Sequence, residues 1–338
     1  MITEIKNQNL LEQSTIAAIK RKDDDFGIGG SLDGLFGYTA SDVETTSTIE
    51  VVGNHENIGL ALKEYEQFSY DHFLPFFTLK PIKKYSNLVL TPAEMSVFIN
   101  EIEKFQKEEN YSLSANLFVN RLIQNSYDAG NNDFNLYVED LPNASILKKL
   151  KATEDNPLKI RLNGSVGDFV ARESNYLDLT IDGRVGDYFA DNSNNLIASI
   201  TGDVGKHFGS NSHNIKTKIN GNVGYSFGFQ SFDIDAEIIG MVGHHFGYNS
   251  NNLKANIVGF VDFKFGSYSR NLSCNIDGNC GKYFGDKSID LKAYVDGQVI
   301  SISKTAHGLK INPKARFFSK TKFLKEMKEK WDKLKIKD

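Results

Sequence analysis

Cysteine, tryptophan and proline are scarce in this chain. Among 338 residues there are two cysteines, one tryptophan and six prolines. Two cysteines, Cys274 and Cys280, are too few for a disulfide framework or a cysteine-rich zinc site, so we expect both to be small core residues. The sequence therefore lacks the marks of a small secreted fold.

A secretory leader and a long apolar run are also missing. The first 22 residues mix Glu, Lys and Gln with Ile and Leu, which is not the pattern of a signal peptide or a membrane span. With 40% hydrophobic residues and a net charge of −4, the chain has the composition of a soluble protein that is long enough for two domains. We expect a cytoplasmic protein with no membrane span.

What the sequence has instead is a repeat. Eight glycines follow one another at intervals of 19 residues without a slip: Gly164, Gly183, Gly202, Gly221, Gly240, Gly259, Gly278 and Gly297. With each glycine counted as position 0, position 2 is Val in seven of eight coils, and positions 6 and 17 are Phe and Ile in six of seven. Apolar residues at positions 13, 15 and 17 alternate with polar ones, which predicts a strand with one buried face.

A strand-based repeat of this length is typical of a leucine-rich repeat or a β-solenoid. Glycines at positions 0, 3 and 7 would break the helical return segment of a leucine-rich repeat. We therefore predict a right-handed parallel β-helix of seven full coils over residues 158–303. Ser at position 10 and Asn or Asp at position 12 are expected to bond in a left-handed corner and to stack as an amide ladder.

One family shares this pattern. The coil GNVGYSFG followed by a strand ending in IxG, as in Gly221 to Gly240, resembles the GXGXG-type right-handed parallel β-helix found at the end of the glutamate synthase large subunit and in one component of formylmethanofuran dehydrogenase. The resemblance covers about residues 158–303, and it departs where this chain has Asn-Leu at positions 12 and 13 in place of Gly-Gly. It implies a packing element without catalytic residues, as in a structural subunit of a multi-subunit oxidoreductase or amidotransferase.

Residues 1–157 lack the repeat and predict an α-rich α+β domain. A capping-box sequence begins at Thr91 and opens a helix. Further helices are expected at about 114–127 and 145–150, and a strand at 134–138. This domain would cover the N-terminal end of the solenoid.

The C-terminal segment, residues 304–338, is strongly basic. It holds 12 Lys or Arg against 4 Asp or Glu, a balance of +8, so the rest of the chain carries −12. An apolar stripe through Leu324 and Trp331 predicts an amphipathic helix. This tail would cap the solenoid, bind RNA or the ribosome through phosphate contacts, or bind a membrane surface or an acidic partner. The residues available for RNA or an acidic partner are Arg316, Lys320, Lys322, Lys325, Lys328, Lys330, Trp331 and Lys333.

Outward positions in the middle coils are apolar where earlier coils are charged. Ile239 and Met241, for example, occupy the positions of Asp182 and Arg184. The candidate interface residues are Phe229, Ile239, Met241, Tyr248, Val258, Phe260, Phe263 and Tyr268. Such a patch marks an interface, and it would pack against the N-terminal domain or tail, join a homo-oligomer such as a homodimer, or bind a different protein.

Catalytic patterns are not evident. His207 and His245 lie two coils apart, too far to share a zinc ion as in γ-carbonic anhydrases. Acidic pairs such as Asp168 and Asp187 do not form the carboxylate cluster of a carbohydrate-active β-helix, and the glycine runs precede no helix, so they are not nucleotide-binding loops. We expect a non-catalytic scaffold or assembly factor without a cofactor or metal, with an RNA- or ribosome-binding factor and a structural subunit as alternatives.

Overall fold

The structure is a computed structural model that describes residues 55–71, 87–108, 111–138, 146–301, 310–311 and 316–317. All of these residues belong to one compact unit, 51–338. Three helices precede the solenoid: α1 His55–Asp71, α2 Pro92–Ile102 and α3 Tyr111–Asp128. A single turn of 3-10 helix, Glu103–Phe105, follows α2.

The helix α2 starts as predicted. The Thr91 side chain accepts the backbone N–H of Glu94, and the Glu94 carboxylate accepts the backbone N–H of Thr91 at 2.8 Å. Its apolar side packs into a core that also contains residues of α1, α3 and the first strands. The helical core therefore continues directly into the interior of the solenoid.

Ten of the twelve strands in the described residues form one parallel sheet. The strands are β1 Asp133–Tyr137, β2 Leu158–Asn163, β3 Asn175–Asp182, β4 Asn194–Thr201, β5 His213–Asn220, β6 Phe232–Ile239, β7 Asn251–Val258, β8 Arg270–Asp277, β9 Ile289–Val295, β10 Gln298–Val299, β11 Lys310–Ile311 and β12 Arg316–Phe317. Ten strands form the main sheet in the order β1 to β9 and then β11, and β10 pairs with β12. From β2 to β9, paired residues are 19 positions apart, as Ile215 and Ile234 are. The parallel β-solenoid predicted from the glycine spacing is confirmed.

The interior consists of stacked identical side chains. The rings of Phe208, Phe227 and Phe246 lie 4.7 and 4.6 Å apart between centroids, with interplanar angles of 7° and 4°. The valines of position 2 form parallel bridges from coil to coil. Each coil thus buries the same apolar set against its neighbours, and this burial stabilises the stack.

The predicted corner is also present. Position 12 has positive φ in every full coil, for example 54° at Asn195 and 53° at Asn214, and the Asn214 amide donates to the Asn195 side-chain oxygen at 2.7 Å. At position 10, the Ser212 hydroxyl donates to the Ala190 carbonyl at 2.7 Å and accepts the Ser193 backbone N–H at 3.0 Å. These serines satisfy backbone groups that would otherwise be buried without partners.

One helix predicted from the sequence is replaced by a turn. Residues 146–149 form a turn instead of the helix predicted at 145–150, and Leu147 and Lys149 have positive φ values of 62° and 61° that an α-helix does not allow. They bond to the first coil, because Lys149 donates its backbone N–H to the Arg172 carbonyl.

The parallel pairing also extends beyond 158–303 at both ends. At the N-terminal side β1 pairs with β2, so an irregular coil precedes the repeat, and at the C-terminal side β11 and β12 pair with β9 and β10. The helix predicted within the basic tail lies outside the described residues.

We predict that the position-0 glycines cannot be replaced. In Gly221→Ala, the added Cβ would lie 2.1 Å from the Gly202 carbonyl oxygen, so the coils must separate, and we expect a loss of about 3 kcal/mol or more in the free energy of unfolding. The control is Gly59→Ala in α1, where nothing lies within 4 Å of the added Cβ and helix propensity should contribute about 0.5–1 kcal/mol of stability. Urea unfolding of both variants checks this, and similar changes in the two would contradict it.

Candidate protein-interaction surface

In many coils, an outward side chain at position 1 or 4 stabilises the next coil. At position 1, Asp203 accepts the backbone N–H of Asn222 at 2.7 Å, and Asn222 accepts that of Met241 at 2.9 Å. At position 4, Asp187 accepts the backbone N–H of Lys206 at 2.8 Å. Each such bond contributes roughly 0.5–1.5 kcal/mol. The acidic residues on this side therefore have structural partners in the stack.

In the middle coils, apolar residues take several of these positions. Met241 and Phe260 occupy position 1 and Phe263 occupies position 4, and none of these side chains has an oxygen that can accept a hydrogen bond. Apolar groups thus replace residue types that support the stack elsewhere. A local departure from the rule that the rest of a fold follows is typical of a functional site.

These three residues form one surface with two others. Ile239 and Val258 are register partners on β6 and β7, with exposed fractions of 59% and 51%. Met241, Phe260 and Phe263 are partly exposed beside them on successive coils. We call these five residues the apolar corner.

The other three predicted interface residues lie on the neighbouring turn face. The ring of Tyr248 is 5.6 Å from that of Phe229 and 5.1 Å from that of Tyr268. Tyr268 is 39% exposed and its hydroxyl accepts a hydrogen bond from Lys287. They form an aromatic ladder that runs along the solenoid axis.

His245 joins the ladder to the apolar corner. Its ring centroid lies 5.5 Å from Tyr248 and 6.2 Å from Phe263. Its ring contacts therefore link the aromatic ladder to Phe263, one residue of the apolar corner. Sequence reasoning did not include His245 among the candidate interface residues, although position 5 holds an aromatic or imidazole ring in most coils, as at Phe169 and Tyr188.

A second histidine, His244, pairs with Asp262, the one residue of the middle coils that replaces a position-3 glycine. Asp262 stands where the other middle coils have glycine, and its carboxylate lies 3.2 Å from the Nδ1 atom of His244 in the preceding coil. The His244 ring also contacts Phe263 edge to face at 5.9 Å. This pair places two polar side chains at the border of the apolar corner.

The environment of His245 opposes its protonation. Burial lowers the pKa of His245, and charges on Lys264 and His244 lower it further. A histidine whose pKa is lower in the folded chain binds fewer protons there than in the unfolded chain. The contribution of His245 to the stability of the folded chain is therefore fully present above its ordinary pKa of 6.5. This contribution is lost as the pH falls below that value.

The direction of this pKa shift predicts that part of the loss of stability in acid depends on His245. In His245→Asn, which keeps a side chain that tolerates the φ of 61° at this position, stability should fall less than in the unchanged protein between about pH 7.5 and about pH 5.5. Thermal unfolding followed across this range measures it, with His213→Asn at another corner as the control for losing an imidazole. Equal pH slopes in the unchanged protein and in His245→Asn would show that His245 has no such role.

The remaining candidates give no second site within the described ranges. Arg316 lies in the short strand β12, and the other tail residues proposed for RNA or an acidic partner lie outside the described residues. Cys274 and Cys280 are buried and free, as expected for core residues, and burial raises the pKa of Cys280 to about 12.

Metal and membrane features are likewise not found in the part of the chain that the structure describes. No three His, Cys, Asp or Glu side chains there are grouped to hold a metal ion. None of the described helices combines the length and the apolar character needed to cross a bilayer.

Comparison of the chain with protein-family models, with curated proteins and with solved structures finds no match.

Proposed function

We propose that this chain is a non-catalytic scaffold or assembly factor that binds a protein through the apolar corner and the adjoining aromatic ladder. The observation that carries the proposal is the replacement of stack-supporting polar residues by Met241 and Phe260 beside two highly exposed aliphatic residues, Ile239 and Val258. The solenoid supplies a rigid surface for this contact.

The free-energy cost of exposing apolar side chains to water supports this role. The exposed area of Ile239 and Val258 gains no hydrophobic burial within the chain, and a contiguous apolar region on an exposed surface favours association. The neighbouring tyrosines and histidines supply what interface centres commonly contain, which is broad apolar area together with a few polar atoms. The partner is either a second copy of this chain or a different protein.

The test replaces the two most exposed residues by ones that the solenoid already uses at position 18. Ile239→Asn with Val258→Thr copies Asn220 and Thr201, so the fold should remain intact. We expect the tagged, full-length chain to lose at least about 10-fold of a stoichiometric protein partner. Quantitative affinity purification, with circular dichroism as the folding check, measures the loss.

Ile197→Ser is the matched control. Ile197 is 50% exposed on the same sheet, away from the apolar corner, and Ser273 occupies the same position in a later coil. It should retain the partner that the double variant loses. Identical partners for all three proteins would refute the proposal.

The two alternatives from the sequence remain predictions. Binding of RNA or the ribosome by the basic tail would weaken steeply as salt rises, whereas an apolar contact would persist. A structural subunit, as the GXGXG resemblance implies, would co-purify with cofactor-bearing subunits.

A further inference from the structure

The broad outer face of the solenoid carries an ordered pattern of charge. This face consists of the outward side chains of β3 to β9, and its central rows are positions 14 and 16. On β5 the two central residues are Lys216 and Lys218, and on β6 they are Asp235 and Glu237. We call these four residues the charge square, since two cations on one strand lie beside two anions on the next.

Pairing within the chain leaves these groups largely open to solvent. Lys216 pairs in register with Asp235, and Lys218 with Glu237, whose charged atoms are 3.1 Å apart. The Lys218 and Glu237 side chains nevertheless keep exposed fractions of 73% and 53%. An ammonium has three donors and a carboxylate has about four acceptor sites, so each can bind a second partner above the sheet.

A two-fold rotation makes the square complementary to itself. The axis lies parallel to the strands, above the face, and midway between β5 and β6. It exchanges the two strands without moving any residue along them, so Lys216 faces the second copy's Asp235 and Lys218 faces its Glu237. Four opposite-charge pairs form at once.

We propose that the outer face is an interface with a second copy of this chain, with the charge square at its two-fold axis and the solenoid axes antiparallel. The inference does not depend on the proposed role of the apolar corner. It assigns a partner and a register to the face of the sheet, whose edge includes Ile239 and Val258 of the apolar corner.

Three other registers are disfavoured by the same charges. An axis on β5 sets Lys216 against its own copy, and an axis on β6 does the same for Asp235. An axis between β4 and β5 sets Asp178 against Asp235, and like charges placed opposite each other cost several kcal/mol. An axis between β6 and β7 avoids like charges but pairs only Asp235 with Lys254 in the central rows, so the axis between β5 and β6 forms the most opposite-charge pairs.

The centre of the face agrees with this register. Lys254 faces the second copy's Ile197, which is 50% exposed, so the aliphatic stem of the lysine can cover it. Like charges meet toward the edges of the face, where Asp182 faces Asp277 and Lys159 of β2 faces Lys292 of β9, all of them exposed. The six strands β3 to β8, spaced ~4.8 Å apart and each of about eight residues at ~3.3 Å, give ~760 Å², close to the ~800 Å² per partner of a standard interface.

The test uses reciprocal charge reversal in the full-length protein. Lys216→Glu with Lys218→Glu makes the square wholly acidic, and Asp235→Lys with Glu237→Lys makes it wholly basic. Each variant should dimerise at least about 100-fold more weakly than the unchanged chain. An equimolar mixture of the two should restore the dimer, because each supplies the charges that the other lost. Sedimentation velocity at about 50 μM measures all four samples.

Two further variants make the outcome decisive. Reversing all four charges together keeps the net charge and the pairing within the chain, and it should dimerise like the unchanged protein. Losing the exposed pair within one chain costs under about 1 kcal/mol, so the reversed variants should fold, which circular dichroism checks. A monomeric unchanged protein, reversed variants that dimerise normally, or a mixture that stays monomeric would each overturn the proposal. A dimer that Ile239→Asn with Val258→Thr abolishes, while the charge-reversed variants keep it, would assign self-association to the apolar corner instead.

Discussion

Backbone lies directly on backbone at position 0 of this solenoid, and no side chain fits between. A Cβ at Gly202, Gly240 or Gly278 would come within 2.4, 2.2 or 1.8 Å of the carbonyl oxygen one coil earlier. Because these contacts recur at every coil, they fix the repeat at 19 residues, and an insertion within a coil would move every later side chain off its partner. The stacked phenylalanine rings and the serine and asparagine ladders depend on this register, since each needs the same residue type at the same height in the next coil.

Strict stacking also makes exceptions informative. At position 1, Asp203 and Asn222 each accept a backbone N–H of the following coil, whereas Met241 and Phe260 offer no acceptor. Neither side chain can repeat this hydrogen bond, and association through exposed apolar groups is the reason that we propose for them. Asp262 is an exception of a different kind, because its carboxylate has a partner in His244.

The regular coils could be predicted from sequence because each column has one chemistry and the alternation of apolar residues has a period of two. The capping box at Thr91 could be predicted equally well, from three residues of the sequence. The turn at residues 146–149 could not be predicted, because the spacing of its apolar residues also suits a short helix. This turn is fixed by hydrogen bonds to the first coil, such as the one from Lys149 to Arg172. Partners in the pairing of β1 with β2 are 26 positions apart, so a search for a 19-residue period could not find it. At the surface, the eight candidate interface residues were chosen from sequence and remain a prediction, whereas the contacts of His245 with Tyr248 and Phe263 depend on ring positions that the sequence does not give.

The two surfaces differ in what each can contribute to assembly. Exposed charges such as Lys216 and Asp235 gain little from one another in water, but opposite a second charged face they determine which register is allowed. Apolar groups such as Ile239 contribute affinity without specifying register, because burial of apolar area is non-directional. A solenoid places both kinds of group on one stack at spacings set by its backbone. The glycine contacts that determine the fold therefore also set the spacing of the charged and apolar side chains on its surface.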